Sequence, residues 1–480
     1  MSRVAMFVYN DCRTDARVLR EAGVLAAAGH DVTIMARPTD LRSREIEREQ
    51  RDGFEVVRVP LPTAWRRYLA WLRSPWRVKG WVFRWVVLRW RNSFRRLPRS
   101  FFNAIIATLF ALFLVAWAVI QKTLRLVAMV FRWDHLPGGP TADWLFRWRT
   151  VIYGWGREAA LMAPEADVYH GHDLTALGAA ILAGKAHNKP VVYDSHEIFL
   201  ESGTNVHRPR PIRAIFRWVE GRWMRRSAAL VTVNWSLEAE LGRRYRPKRI
   251  VVLHNTPSRW FPPAVPERRI RRALGLGPGV PIALYHGGFS AHRGLEELAE
   301  AILEPGLERV HAVFMGYGGK RDWLLEQAED PRYRGRLHVL PAVPPDELVS
   351  WVVDADVGVM AIQASTLNHR MSTPNKLFEC LAGGVPVIAS DFPEMRRIVC
   401  EDPDGPLGEV CDPSDVAAVA AAIRRVTELP AGAAADLRRR CLRAAHERWN
   451  WETESERLLA LYEDLVPEPP AVAPIAAISA

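Results

Sequence analysis

The chain has 480 residues, 49% hydrophobic and 25% charged, a globular composition that excludes disordered, collagen-like and coiled-coil classes. Its five cysteines (Cys12, Cys380, Cys400, Cys411, Cys441) are scattered, and the absence of a CxxC or Cys/His cluster argues against a zinc site or a disulfide framework and fits a reducing cytosol. The net charge of +11 is local: residues 64–133 hold fourteen Lys and Arg and no acid, which leaves about −3 for the remainder, so nucleic-acid binding by the whole chain is not implied.

Met1 leads straight into the apolar run Arg3 to Tyr9 without the pattern of a signal peptide. That run reads as a buried strand, Asp15 to Ala28 as a helix closed by Gly29, and Asp31 to Ala36 and Phe54 to Val59 as two more strands. Further strands are predicted at Asp167 to His170, Pro190 to Asp194, Ala229 to Val233 and Ile250 to Leu253. A second series covers Ile282 to His286, Ala312 to Met315, Leu337 to Leu340, Val357 to Met360 and Pro386 to Ser390. Short β-branched runs separated by helices indicate parallel sheets covered on both faces, and two series indicate two doubly wound Rossmann-like domains. The predicted domains are 1–258 and 273–432, joined by the Pro- and Arg-rich link Thr256 to Arg272. A helical stretch, 433–465, would cross back to the first domain, and a Pro/Ala-rich tail, 466–480, would be loose.

The segment of about residues 60–140 breaks this rhythm. Its first half places Arg77, Arg84, Arg91 and Arg95 in one stripe beside Trp81 and Trp85, a composition suited to lipid headgroups. Its second half, Phe101 to Ile120, carries no charge; as a helix it would run about 30 Å, enough to span a bilayer. A buried core helix is the other reading. One full crossing would divide the strands of a single sheet between two sides of a membrane. Monotopic or hairpin insertion on the cytoplasmic side of the plasma membrane is therefore expected, where anionic lipid attracts Lys and Arg.

The densest constellation runs from Ser372 to Asp391 (STPNKLFECLAGGVPVIASD). Pro374 starts a helix, Lys376 and Glu379 lie one turn apart on one face, and Gly383-Gly384 ends it before a strand. A helix N-terminus with a Lys suits a phosphate, and a Glu one turn on suits a ribose diol. An ordinary Lys–Glu surface pair fits the spacing equally well. Asp354-Ala355-Asp356 matches a DxD metal signature, but it leads into the apolar run Val357 to Met360 and reads as a helix–strand turn, so no metal site is assigned there.

The constellation resembles the signature of family 4 glycosyltransferases, retaining enzymes of the two-Rossmann GT-B fold. Other stretches agree in order: Asn10 to Val18, His170-Gly171-His172-Asp173, Tyr193-Asp194-Ser195-His196, His286-Gly287-Gly288 to Gly294, Met315 to Gly318, and Leu340 to Val343. The resemblance covers the chain except the 60–140 segment and the tail. It implies a metal-independent hexosyltransferase without a cofactor, its nucleotide-sugar being a substrate. Arg293 and Lys376 would hold the donor diphosphate and stabilise the leaving group. Glu379 would bind the ribose, and Gly287, Gly288 and Gly316 would let backbone approach the nucleotide. His172 would lie near the donor sugar, making His172, Arg293 and Lys376 the catalytic set. Asn10, Arg13, Asp15, Asp173, Asp194 and His196 would face the acceptor. Three positions depart from the family pattern. Met371 stands where a Glu often touches the donor sugar, Gly288 replaces one of two paired cations, and Asn10 to Arg13 replaces a Gly-rich loop.

The 60–140 segment follows the third predicted strand at its carboxyl end, the edge that carries the ligand cleft in open parallel sheets. A membrane-dipping segment there suggests a lipid-linked or polysaccharide acceptor. Two other functions share parts of this pattern: a GT-B-fold sugar-nucleotide epimerase, and a catalytically silent scaffold at a membrane glycan assembly.

Overall fold

The computed structural model describes residues 2–41, 43–61, 148, 152–263, 265 and 267–466. The Arg/Trp stripe and Phe101 to Ile120, expected to form membrane-associating helices, lie outside the described residues, as does the tail beyond Val466. Among the described residues no helix is long and apolar enough to cross a membrane.

The strands form two sheets. The first contains β1 (Arg3–Phe7), β2 (Asp31–Ala36), β3 (Glu47–Arg51), β4 (Phe54–Arg58), β5 (Val168–His172), β6 (Val191–Ser195), β7 (Ala229–Thr232) and β8 (Ile250–Val252). Its order is β3-β4-β2-β1-β5-β6-β7-β8, parallel except for the edge strand β3. The second contains β9 (Ile282–Gly288), β10 (His311–Tyr317), β11 (Leu337–Pro341), β12 (Val357–Met360), β13 (Val387–Ser390) and β14 (Gly408–Cys411), in the order β11-β10-β9-β12-β13-β14. Both orders reverse direction once, beside β1 and beside β9, the doubly wound topology. Strands β1, β5, β6, β7, β12 and β13 are buried almost throughout, which is why they read as continuous apolar runs rather than alternating ones.

Sequence patterning does not announce two strands, β3 and β14. The β3 sequence Glu-Arg-Glu-Gln-Arg is polar throughout and is held by cross-strand charge: Arg48 pairs with Glu55, and the fully buried Arg58 bonds Glu47 at 3.0 Å and Glu49 at 2.6 Å. Charge on an edge strand also blocks pairing with other chains. Strand β14 starts at Gly408, whose φ is +159° and whose hypothetical Cβ would lie 2.0 Å from the Val387 carbonyl oxygen.

The chain divides into two compact units, Met1–Asp194 with Ser202–Ala229, and Ser195–Glu201 with Leu230–Ala480. Residues 230–258, expected in the first domain, therefore cluster with the second unit. Side chains from this stretch bond later parts of the chain. Asn234 donates to the Met371 carbonyl and to Thr373, Ser236 bonds Glu394, and His254 bonds Glu454 through its backbone N–H and Nδ1. The expected C-terminal helical stretch consists of two helices, Ala431–Glu447 and Trp451–Leu465. Asn450 makes the break by accepting from the Thr453 N–H as the N-cap of the second. That second helix lies along β8: Arg457 donates to the Val252 carbonyl, and Arg249 pairs with Asp464 at 2.6 Å.

Candidate active site

In the second unit, the ends of β9 and β10 and the helix Asn375–Ala382 bring four predicted groups together. Tyr285, in the buried body of β9, presents its ring to Lys376, whose Nζ stands 3.4 Å from the ring centroid. The Tyr285 hydroxyl donates to the Gly288 carbonyl at 2.8 Å, tying this platform to the turn. Burial pushes the Tyr285 hydroxyl up to about 12, so it stays a donor. Gly287 has a φ of +109°, and its missing side chain leaves room beside Lys376, whose Cε and Nζ lie 3.7 Å from where a Cβ would stand.

Burial is the main force on Lys376, and the positive charge of Arg293 adds to it. Together they push the ammonium down to about 7, against the smaller opposing pull of Glu379. Arg293 also depresses His369, held at about 4 mainly by burial. Two cationic groups thus share one half-buried place with one carboxylate. That carboxylate is fixed: Glu379 Oε2 lies 2.8 Å from Nε2 of the buried His286, which orients Glu379 while Oε1 makes no bond among the described residues. Such an arrangement is short of negative charge and offers an oriented acceptor, as a diphosphate with a neighbouring diol requires.

The glycines divide by role. Gly316 faces Gly287 across the β9–β10 ladder, and its hypothetical Cβ would lie 1.9 Å from the Gly287 carbonyl oxygen. Its small size serves the close approach of two strands of its own chain. Gly316→Ala should therefore destabilise the second unit by about 3 kcal/mol, as overpacking against backbone does, measurable as a lower Tm. Gly294, at φ +82°, would meet the Ala361 carbonyl at 2.6 Å and sets the path of the chain beside Arg293. A Cβ on Gly288 would meet nothing within 4 Å.

Beyond Gly316, β10 ends in Tyr317, 70% exposed and in register with Gly288. Patterning did not single it out; an exposed aromatic at a strand's carboxyl end beside a Gly pair was the available signal. Tyr285 and His286, which hold Lys376 and Glu379, were invisible as functional residues because their partners lie about 90 positions away in sequence.

The first unit holds a buried ionic cluster at the ends of β5 and β6. His172 and Asp194 are neighbours in register, with His172 Nδ1 3.1 Å from Asp194 Oδ2. Arg17, from the first turn of the helix Ala16–Ala27, grips Asp194 with two bonds of 2.8 and 2.9 Å and lies 3.1 Å from Glu21. His170 stacks on His172 with ring centroids 4.4 Å apart. Burial opposes the Arg17 charge, but Asp194 and Glu21 outweigh it and hold the guanidinium protonated well beyond its usual range. Glu21, His170, His172 and Asp194 bring potential metal-ligand atoms within 4.8 Å of one another. The Arg17 guanidinium already stands against both carboxylates as the resident cation.

Asp194, expected to face an acceptor, is fully buried and engaged with Arg17 and His172. Asp173 is half-buried at φ +56°, a strained non-glycine conformation at the end of β5. Asn10 and Asp15 shape their own loop. Asn10 accepts from the Cys12 N–H and donates to Asp15, and Asp15 caps the helix by accepting from the Val18 N–H. Arg13 is exposed, with bonds to Thr39 and Glu47. His196 is half-buried and belongs to the second unit. The Asp354 and Asp356 carboxylates both bind Arg271, and Asp356 also accepts from the Ile282 N–H.

A family model described as Glycosyl transferases group 1 matches residues 280–428, and one described as Glycosyltransferase Family 4 matches residues 124–256. Together the matches cover more than half of the chain. The chain belongs to the family 4 glycosyltransferases. This glycosyltransferase is 28% identical over 311 residues to a protein named glycogen synthase in Mycobacterium tuberculosis, covering 62% of this chain and 68% of that one. It is 29% identical over 224 residues to one named D-inositol 3-phosphate glycosyltransferase in Xylanimonas cellulosilytica, covering 44% and 50% of the respective chains. The structure of sucrose-phosphate synthase from Thermosynechococcus elongatus superposes with a TM-score of 0.63 at 16% identity, over 97% of this chain and 99% of the other. The two-domain GT-B architecture is shared, and the glycosyltransferase's Lys376 and Glu379 both lie within the matched segment 280–428.

Proposed function

We propose that this glycosyltransferase moves a hexosyl group from a nucleotide-sugar to a lipid-linked or polysaccharide acceptor, at the cytoplasmic face of the plasma membrane and with retention at the anomeric carbon. The observation that carries the reading is Lys376 on the Tyr285 ring and Glu379 on His286 at the carboxyl edge of β9, with the charge of Arg293 acting on Lys376. The bond from the anomeric carbon to the diphosphate oxygen breaks, and one from the acceptor hydroxyl oxygen forms as the proton of that hydroxyl passes to the departing diphosphate. Negative charge grows on the departing diphosphate. Arg293 and Lys376 stand where that charge is stabilised, and this use of fixed cations replaces a metal in the scheme. Glu379 Oε1 takes the ribose diol. His172 is held through Nδ1 by Asp194 within the first unit.

Tyr317 is assigned to the nucleoside, against whose base an exposed ring can stack. Tyr317→Ala should weaken nucleoside diphosphate binding by roughly tenfold, because base–aromatic stacking contributes about 1–3 kcal/mol. Calorimetric titration of the variant checks this.

The membrane part of the reading rests on composition and placement. Residues 64–133 carry fourteen basic and no acidic residues and follow β4 at its carboxyl end. The test of acceptor and stereochemistry is direct. Radiolabelled product should extract into organic solvent when membrane lipid is the acceptor, and NMR of the released glycan should show the donor's anomeric configuration. Water-soluble product from lipid-containing reactions would remove the lipid acceptor, and the opposite configuration would remove retention.

A further inference from the structure

We propose that the helix Arg210–Met224 is a second lipid-contacting element, resting its outer face on an anionic bilayer surface; this builds on the membrane reading above. The helix is amphipathic in an unusual sense. Its inner face buries Phe216, Glu220 and Met224, and Gly178 of the helix Asp173–His187 has no Cβ at a point 3.1 Å from the Trp223 ring. Its outer face exposes Pro211, Ala214, Ile215 and Trp218 at helical spacing. Ile215 is 53% and Trp218 62% exposed, large values for such side chains. Around them stand Arg210, Arg217, Arg222, Arg225 and Arg226, all exposed and in no ion pair among the described residues. The one acidic residue of the helix, Glu220, points inward to the Tyr193 hydroxyl. Arg222 lies over the Trp218 ring at 5.8 Å.

A ring and an aliphatic side chain one turn apart, ringed by arginines, match the headgroup level of a bilayer. There the aromatic body enters the interface and the guanidinium groups meet phosphates. A soluble acidic protein would satisfy the charge but would leave the exposed Trp and Ile without an apolar counterpart.

Two placements favour lipid. The helix follows β6 and runs back along the sheet, so its start, just before Ile215, lies at the carboxyl edge of the first sheet, where His172 and Asp194 stand. Trp148, fifteen residues beyond the basic stretch in sequence, packs edge-on against Phe216 with ring centroids 4.8 Å apart.

The test uses the full chain with Ala214→Cys carrying an environment-sensitive fluorophore, and Glu326→Cys, exposed in the second unit, as the control position. Cys400 is not fully buried and is replaced by Ser in both. Vesicles are phosphatidylcholine with or without phosphatidylglycerol, containing a doxyl-labelled lipid. The expected result is a blue shift and quenching at 214 but not at 326, on phosphatidylglycerol vesicles. Arg217→Gln with Arg222→Gln should weaken vesicle partition about 25-fold, the equivalent of about 1 kcal/mol for each charge. Protein that floats with vesicles while position 214 stays unquenched would overturn this inference and leave the membrane reading standing. A blue shift already present without vesicles would mean that the chain itself or a second copy covers the face, and would also overturn it. Protein that fails to float on anionic vesicles would overturn both.

Discussion

Lys376→Ala is expected to lower kcat by roughly a hundred- to a thousandfold, the usual loss when one fixed charge-stabilising donor is removed from a transition state. The loss should fall on turnover more than on folding, because Lys376 rests on a ring face beside a cation that disfavours its charge, rather than in an ion pair. Stability should move the other way. The ammonium sits at about 7 in the folded protein against 10.5 in the unfolded chain. Between those values the unfolded chain binds more protons, so the stability contributed by this group rises with pH through that window and its penalty is fully present below about 7. Lys376→Met, which removes the buried charge, should raise the Tm of the ligand-free protein at pH 6 by roughly 2–4 °C, and should have less effect at pH 9. A diphosphate reverses the balance, since it favours the charged form. Nucleotide binding at pH 8 should therefore take up close to one proton, measurable as a dependence of the binding heat on buffer ionisation enthalpy. Affinity should fall by roughly tenfold for each pH unit above about 8. Lys376→Arg should not restore activity, because a planar, always-charged fork does not fit the place of a point charge on the Tyr285 ring.

Asp194→Ala is expected to have the largest effect on stability in the first unit. It takes from the 3%-exposed Arg17 the carboxylate that accepts two of its bonds. Breaking a buried pair from one side costs about 3–5 kcal/mol. Asp194→Asn keeps the shape, loses the charge and releases His172 from its anionic partner. The predicted signature is a split. Turnover of Asp194→Asn falls at least tenfold while its affinity for a nucleoside diphosphate stays unchanged, because the diphosphate groups lie in the second unit. An equal loss in affinity and turnover would mean that the substitution merely loosens the whole protein.

The parallel strands were legible because burial on both faces demands continuous apolar runs such as Val-Ala-Met-Phe in β1 and Val-Ile-Ala in β13. Strand β3 was not, because an edge strand held by Arg58 and its two glutamates carries no hydrophobic signal. The break at Asn450 was marked only by a capping residue inside a long helical pattern. The site divides in the same way. Lys376, Glu379, Arg293 and His172 stand in local motifs and can be read from them. Tyr285, His286 and Arg17, which hold them in place, cannot, because each acts across a distance that only the folded sheets close. Asp194 was visible as a motif residue, yet its burial against Arg17 and His172 is a tertiary fact. Gly316 likewise stood in a recognisable strand end, but the reason for a glycine there is the Gly287 carbonyl across the ladder.

The most direct test of the central claim is release of nucleoside diphosphate by the purified protein in lipid, supplied in turn with UDP-, GDP- and dTDP-sugars, with and without a membrane lipid extract. One donor class is expected to be turned over, turnover should depend on the extract, and Lys376→Ala and Glu379→Ala should each lower it by roughly a hundredfold or more. Turnover that survives both substitutions, or tight nucleotide binding with no turnover of any donor, would contradict the claim.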